Sequence, residues 1–205
     1  VGLVSQAFGK SDYRELVNII LRNLLIAIVI ASFIIIFKPV ILNIVYQIFS
    51  ISSDTGVFIK DYISIRVISA PAELIIYVFI GFFLGIQRTL ISSFLIILLS
   101  LLNICFSIYF VNELDLNVKG VALGTLLSAY ITALSFSIFT YFYIKKKFKV
   151  IPRFNYKKIF YFKKMIKLFN INFNIFIRTI LLTFSFFWIT YLGSTLGEQY
   201  IAVNS

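Results

Sequence analysis

Runs of about 20 apolar residues recur along this chain, and that repetition limits its possible folds more than any other feature. In helical form, at 1.5 Å per residue, such a run crosses about 30 Å of hydrocarbon. Leu16 to Phe37, Ile63 to Gly85, Leu90 to Phe110, Val118 to Tyr143 and Ile171 to Leu192 are the candidate spans. Peptide groups in lipid find no water, so each span must satisfy its own backbone hydrogen bonds as an α-helix. The expected fold class is all-α: a polytopic transmembrane helix bundle with the lipid bilayer as its solvent. Only 13% of the residues are charged and 60% are apolar, against about 25% charged in a soluble domain.

The segments between spans carry recognisable punctuation. Val1 to Phe8 resembles the tail of a helix; Gly9 ends it, and Ser11 or Asp12 can cap the next. Pro39 follows the first span, and Val40 to Ile51 continues as a kinked extension or interfacial helix, broken by Ser52 to Gly56. Pro71 lies inside the second span, where it frees a carbonyl and kinks the helix. The fourth span opens with Gly120, Ala122 and Gly124, small residues that let a neighbouring helix approach closely. Beyond Pro152, Tyr156 to Phe169 alternates Ile159, Phe160, Met165 and Ile166 with lysines at helical spacing, as in an amphipathic helix lying on a membrane. Gly193 to Gly197 is expected to turn the chain, and Glu198 to open a further segment. Both ends look like cuts through a longer protein.

The net charge of +11 is concentrated. Ten of the 19 basic residues lie between Lys145 and Lys167 with no acid among them, leaving 9 basic and 8 acidic residues elsewhere. Such a block beside membrane spans is a topogenic loop and not a face for phosphates, so no nucleic-acid partner is expected. Alternating the spans gathers Lys10, Arg14, Arg22, Arg88 and the block on one side, which is then cytoplasmic. Lys38, Lys60, Arg66 and Lys119 fall on the other, and Arg178 within a span. The single cysteine, Cys105, excludes an internal disulfide, and the absence of histidine leaves metal sites almost no ligands. Neither a catalytic triad nor a phosphate loop is present, so neither an enzyme nor a cofactor is expected.

Several stretches together resemble the multidrug and toxic-compound extrusion (MATE) family, in particular its DNA-damage-inducible bacterial branch. VSQAFGKSD is similar to the end of that family's second helix and its turn. YISIRVISAPAELIIYVFIGFFLGIQRT resembles the fourth helix, and SLLNICFSIYFVNELDLNVKGVALGTLLSAY the fifth, an outer loop and the start of the sixth. LFNINFNIFIRT and LGSTLGEQYIAVN resemble the seventh helix and the entrance to the eighth. The resemblance implies part of a twelve-helix, two-lobe transporter. Residues 1–144 would be first-lobe helices, 145–170 a basic cytoplasmic linker with its amphipathic helix, and 171–205 the start of the second lobe. The remaining second lobe would be the chief protein partner.

Glu73 stands out from its residue type alone. It lies at mid-depth in a span, where a carboxylate is costly unless paired, protonated or in a watery cavity. It is a candidate for proton or cation coupling, but a structural partnership with Arg66 on the same helical face is the plainer reading. The resemblance adds further pathway candidates. Asn103 and Thr125 match family positions that face the first-lobe cavity, while Ser107 stands where an Asp is common. Arg178 matches a family arginine, with Asn174 where an Asp is frequent; snorkelling to the interface is the plainer reading of Arg178. Tyr130 also matches the family but needs no special role, and Phe184, Phe186, Phe187 and Trp188 are mostly lipid-facing bulk.

The function the resemblance implies is an inner-membrane efflux antiporter. It would export small amphipathic or cationic compounds in exchange for H+ or Na+ by alternating access. The alternatives are a lipid-linked oligosaccharide flippase of the same superfamily and an inactive truncated product. Few deep cationic residues line the first-lobe spans to hold a pyrophosphate, which disfavours the flippase.

Overall fold

A computed structural model describes residues 1–49, 53–152, 159 and 161–196. The elements are α1 (Gly2–Gly9), α2 (Tyr13–Ile36), α3 (Lys38–Phe49), α4 (Ser53–Gly85), α5 (Thr89–Ile108), a π-helical turn (Tyr109–Glu113), α6 (Asn117–Phe148) and α7 (Phe162–Leu196). Among the described residues there is no strand, and five helices are long and apolar enough to cross a membrane. The chain divides into two compact units, Val1–Ile159 and Phe160–Ser205.

Local chemistry explains most helix ends. Asp12 caps α2 by accepting from the Glu15 amide at 2.9 Å, while Ser11 takes the left-handed turn position at φ 56°. Pro39 sits in the first turn of α3, where its missing N–H is least needed. The Ile41 amide donates to Phe37 O at 3.0 Å, so the helix resumes at once beyond the break. Lys149 ends α6 in the left-handed conformation, with Lys145, Lys146 and Lys147 in the last turn, where the helix dipole favours cations.

Four boundaries differ from the sequence expectation. The helix expected from Ile63 begins at Ser53, because Ser53, Asp54 and Thr55 favour a helix start as well as a break. The third span leaves α-geometry at Ile108 and widens through Tyr109–Glu113 before the loop. The fourth span continues through the first lysines of the basic block to Phe148. The surface helix expected to end at Phe169 is continuous with the next span: α7 runs unbroken from Phe162 through Leu196. Asn170 alone, with no Gly or Pro beside it, does not stop a helix, and a single Gly193 costs about 1 kcal/mol relative to Ala without ending one. Residues 156–158 and 160 of the expected amphipathic helix, and residues 197–205, lie outside the described residues.

In the first unit α6 is central, packing against both α4 and α5, while α4 also packs on α2. Its inward face is built of small side chains: Gly120, Ala122, Gly124, Ser128, Ala129 and Thr132 are all buried. A Cβ on Gly124 would lie 2.7 Å from the Ser107 amide nitrogen and 2.9 Å from its Cα, and one on Gly120 would lie 3.0 Å from the Phe110 carbonyl. The expected close approach is therefore made by α5 and the turn that follows it.

The unit is packed unevenly along its length. At the end holding the Gly9–Asp12 and Ile86–Arg88 turns, Leu16, Phe82, Phe83 and Leu95 are almost wholly buried. Tyr13 stacks on Phe148 at 4.7 Å and Phe8 meets the same ring edge-on at 6.2 Å, tying α1 and α2 to the end of α6. Ser92 at the start of α5 donates to Ile80 O of α4 at 3.2 Å. Towards the other end α5 and α6 stay in close contact through Gly120 and Gly124, and a cavity lies where they meet α4.

In the second unit α7 carries Phe173, Phe176, Phe184 and Phe187 on its exposed surface, with Phe184 and Trp188 stacked at 6.0 Å.

Candidate functional site

The cavity has a volume of about 480 Å³ and lies among α4, α5 and α6. Its size falls within the roughly 300–1,000 Å³ typical of small-molecule sites. Ile80, Ile96, Leu99 and Ile104 give it greasy walls, Tyr77 adds a ring, and two polar clusters face it.

The first cluster is built entirely on α4. Residues seven apart on an α-helix return to the same face two turns on, which places Arg66 over Glu73. The Arg66 guanidinium donates to Glu73 through Nη1, with Nη2 3.5 Å from the second carboxylate oxygen. Ser69 sits between them. Its hydroxyl lies 2.7 Å from both Glu73 Oε1 and the Arg66 carbonyl, so its single proton serves one or the other, and Arg66 Nη1 donates to it at 3.2 Å. Ser69 is fully buried, whereas Arg66 and Glu73 keep 32% and 26% of their side chains exposed. The pair is thus held at its root and open at its tip.

The second cluster joins α5 to α6. Asn103 Nδ2 donates to Thr125 Oγ1 at 2.9 Å, and Thr125 in turn donates to Val121 O at 3.0 Å. Both residues line the cavity. Ser107, one turn further along α5, has its Oγ buried without a hydrogen-bond partner against Gly124. It is not among the cavity-lining residues.

Pro71 lies inside α4 between the two ends of the ion pair. Having no N–H, it leaves the Val67 carbonyl without its usual helical donor. Beside that gap, the Tyr130 hydroxyl of α6 donates to the Ile68 carbonyl at 3.0 Å. Tyr130 thereby ties α6 to the proline-containing turn of α4 immediately before Glu73. Outside the cavity, Lys119 and Asp61 pair at 3.1 Å between α6 and α4.

The structure therefore brings Glu73, Asn103 and Thr125 to one cavity, with Pro71 shaping the helix that carries Glu73. Ser107 packs beside it, and Arg178 and Asn174 are exposed on α7 in the second unit. Ser69 and Tyr130 were not singled out by the sequence as site residues. Ser69 was within reach of the spacing argument, at three residues from Arg66 and four from Glu73. Tyr130 was not, because nothing local points to a carbonyl 62 residues away.

A set of apolar helices around a cavity with one internal ion pair suits a membrane transporter. The family model described as MatE matches residues 2–109, more than half of the chain. The chain belongs to the MatE family. That family comprises transporters and not enzymes, and the apolar helices make this MatE chain a multi-pass membrane protein. It is similar to DNA damage-inducible protein F of Escherichia coli (strain K12), with 29% identity over 210 residues. That alignment covers 100% of this chain and 44% of the relative, so the chain spans less than half the relative's length. No solved structure matches it.

Proposed function

We propose that this MatE chain supplies most of the first lobe, and the beginning of the second, of an inner-membrane multidrug efflux antiporter. The whole polypeptide exports small amphipathic or cationic compounds in exchange for H+ or Na+, by rocking of two lobes around a central path. The cavity carries this reading: greasy walls for the body of a substrate, and one acid, Glu73, at a depth where a charge needs a reason. On this reading the tightly packed end and the basic block from Lys145 to Lys167 face the cytoplasm, and the cavity opens in the outer half.

The mechanism follows from the open tip of the pair. Glu73 is the coupling acid, and Arg66 is the tethered cation that holds it when no ion or substrate is bound. An arriving proton or cation competes with Arg66, and its release returns Arg66 to the carboxylate. Asn103 and Thr125 orient polar groups from the facing wall, while Tyr130 braces the turn of α4 beside Pro71 so that Glu73 stays turned to the cavity.

The test uses the full polypeptide in proteoliposomes loaded with an ethidium-like dye, under matched pH and sodium gradients. Dye movement driven by one of the two gradients is expected. Dye movement indifferent to both, or a polypeptide that stays dissolved without detergent, contradicts the proposal.

A further inference from the structure

At the packed end of the first unit, far from the cavity in role, α6 closes on a run of lysines. Setting the orientation of a membrane chain requires only that basic residues lie near a span. It does not require them to be held still, and here they are. Ile144 and Phe148 are buried one turn apart, while Lys145, Lys146, Lys147 and Lys149 are exposed around them. The two apolar anchors fix the rotation of the helix end, so the lysines between them fan outward from a rigid stem. Tyr13, stacked on Phe148 at 4.7 Å, brings up the start of α2 with exposed Arg14 beside it. Phe8 meets the same ring at 6.2 Å, just ahead of exposed Lys10. Glu15 is offset by its pairing with Arg22, which leaves Asp12, the cap of α2, to face these six exposed cations.

Depth decides what such an array can meet. Helix α6 has 32 residues, and at 1.5 Å per residue it is about 48 Å long, against about 30 Å of hydrocarbon. Its ends therefore stand in the headgroup region. Ile138, Phe139 and Phe142 are exposed apolar residues of the kind that lipid covers. Lys145 follows Phe142 by three residues, about 4.5 Å along the axis. The lysines thus sit level with lipid phosphates. Each ammonium reaches them on a four-carbon stem whose methylenes stay in greasier surroundings.

We propose that the end of α6, with the α1–α2 turn beside it, is a binding surface for an anionic phospholipid headgroup, taken in preference to a zwitterionic one. A choline headgroup carries a cation of its own toward the lysines, whereas a glycerol headgroup leaves the phosphate charge unopposed. Cations come from α6 on one side and from Lys10 and Arg14 on the other, so one bound lipid bridges the two. The surface requires only that α6 crosses a membrane, and it is independent of the substrate and ion proposed for the cavity.

Native mass spectrometry of the full polypeptide, released from detergent with phosphatidylglycerol and phosphatidylcholine at equal concentration, tests it. Phosphatidylglycerol is expected to be bound about ten-fold more tightly, the scale of one or two basic side chains at an anionic surface. Lys145→Gln, Lys146→Gln and Lys147→Gln together should erase most of that preference, and arginine at the same three positions should keep it. Removing as many charges elsewhere in the basic block, through Lys157→Gln, Lys158→Gln and Lys163→Gln, should leave it nearly intact. Equal loss in the two glutamine triples would show diffuse attraction to charge and overturn the inference. So would equal binding of the two lipids by the unaltered protein, which needs no variant. Inorganic phosphate at millimolar concentration should not displace the lipid; displacement would mark a free-anion site and contradict the proposal.

Discussion

Two ion pairs in the first unit share one spacing, and their arginines have opposite surroundings. Glu15 and Arg22 on α2, like Arg66 and Glu73 on α4, stand seven residues apart on a single helical face. Arg22 is 2% exposed; it donates to Glu15 at 2.9 Å and through Nε to the Ile159 carbonyl at 3.1 Å. Arg66 is 32% exposed and faces a cavity. In the first pair Arg22 is enclosed by the packed end of the bundle and fastens a distant stretch of chain to α2, while Glu15 keeps 22% of its side chain exposed. The second is anchored on one side and open on the other. Spacing decides that two charges can meet; packing around them decides whether the meeting is permanent.

The comparison predicts a graded set of effects, measured as the thermal stability of the full polypeptide in detergent. Arg22→Met should be the most damaging, costing about 3 kcal/mol, because it strips Glu15 and the Ile159 carbonyl of a buried donor. Tyr130→Phe removes its hydrogen bond to the Ile68 carbonyl beside Pro71 and should cost about 1 kcal/mol. Glu73→Gln should cost less than about 1 kcal/mol, since its pair is open to the cavity, yet it should abolish pH-driven dye efflux if Glu73 loads the coupled proton. Intact efflux in that variant would remove Glu73 from coupling and make the two pairs alike. Lys119→Ala breaks an exposed contact between α6 and α4 and should change stability by a few tenths of a kcal/mol at most.

Much of this was legible in the residues. Length and hydropathy alone identify the five membrane-crossing helices, because a lipid-spanning segment has no other way to satisfy its backbone. Small residues at Gly120 and Gly124 announce a close helix contact, and the seven-residue spacing announces that Arg66 can reach Glu73. The helix ends were less legible. Ser53 to Thr55 suit a helix start as well as a loop, and the apolar–basic pattern before Phe169 describes one face of a helix without saying that it flows into the next. The cavity wall was harder still. Asn103 and Thr125 were picked out by resemblance, but their mutual hydrogen bond is tertiary. The separation of Ser107 from the cavity depends on Gly124 crossing α5 at that point. Tyr130's grip on Ile68 joins helices far apart in sequence.

The central claim is that the α4–α6 cavity is a wet, ligand-holding space while the opposite end of the bundle is closed. It is tested most directly by thiol labelling of the full polypeptide in membranes, with Cys105→Ser as background. Tyr77→Cys, at a cavity-lining position 66% exposed, and Ile20→Cys, at a core position 4% exposed, would be compared using a membrane-impermeant thiol reagent. The account predicts modification at position 77, slowed by an ethidium-like dye, and none at position 20. Inertness at 77, or labelling there that the dye leaves unchanged, would contradict it.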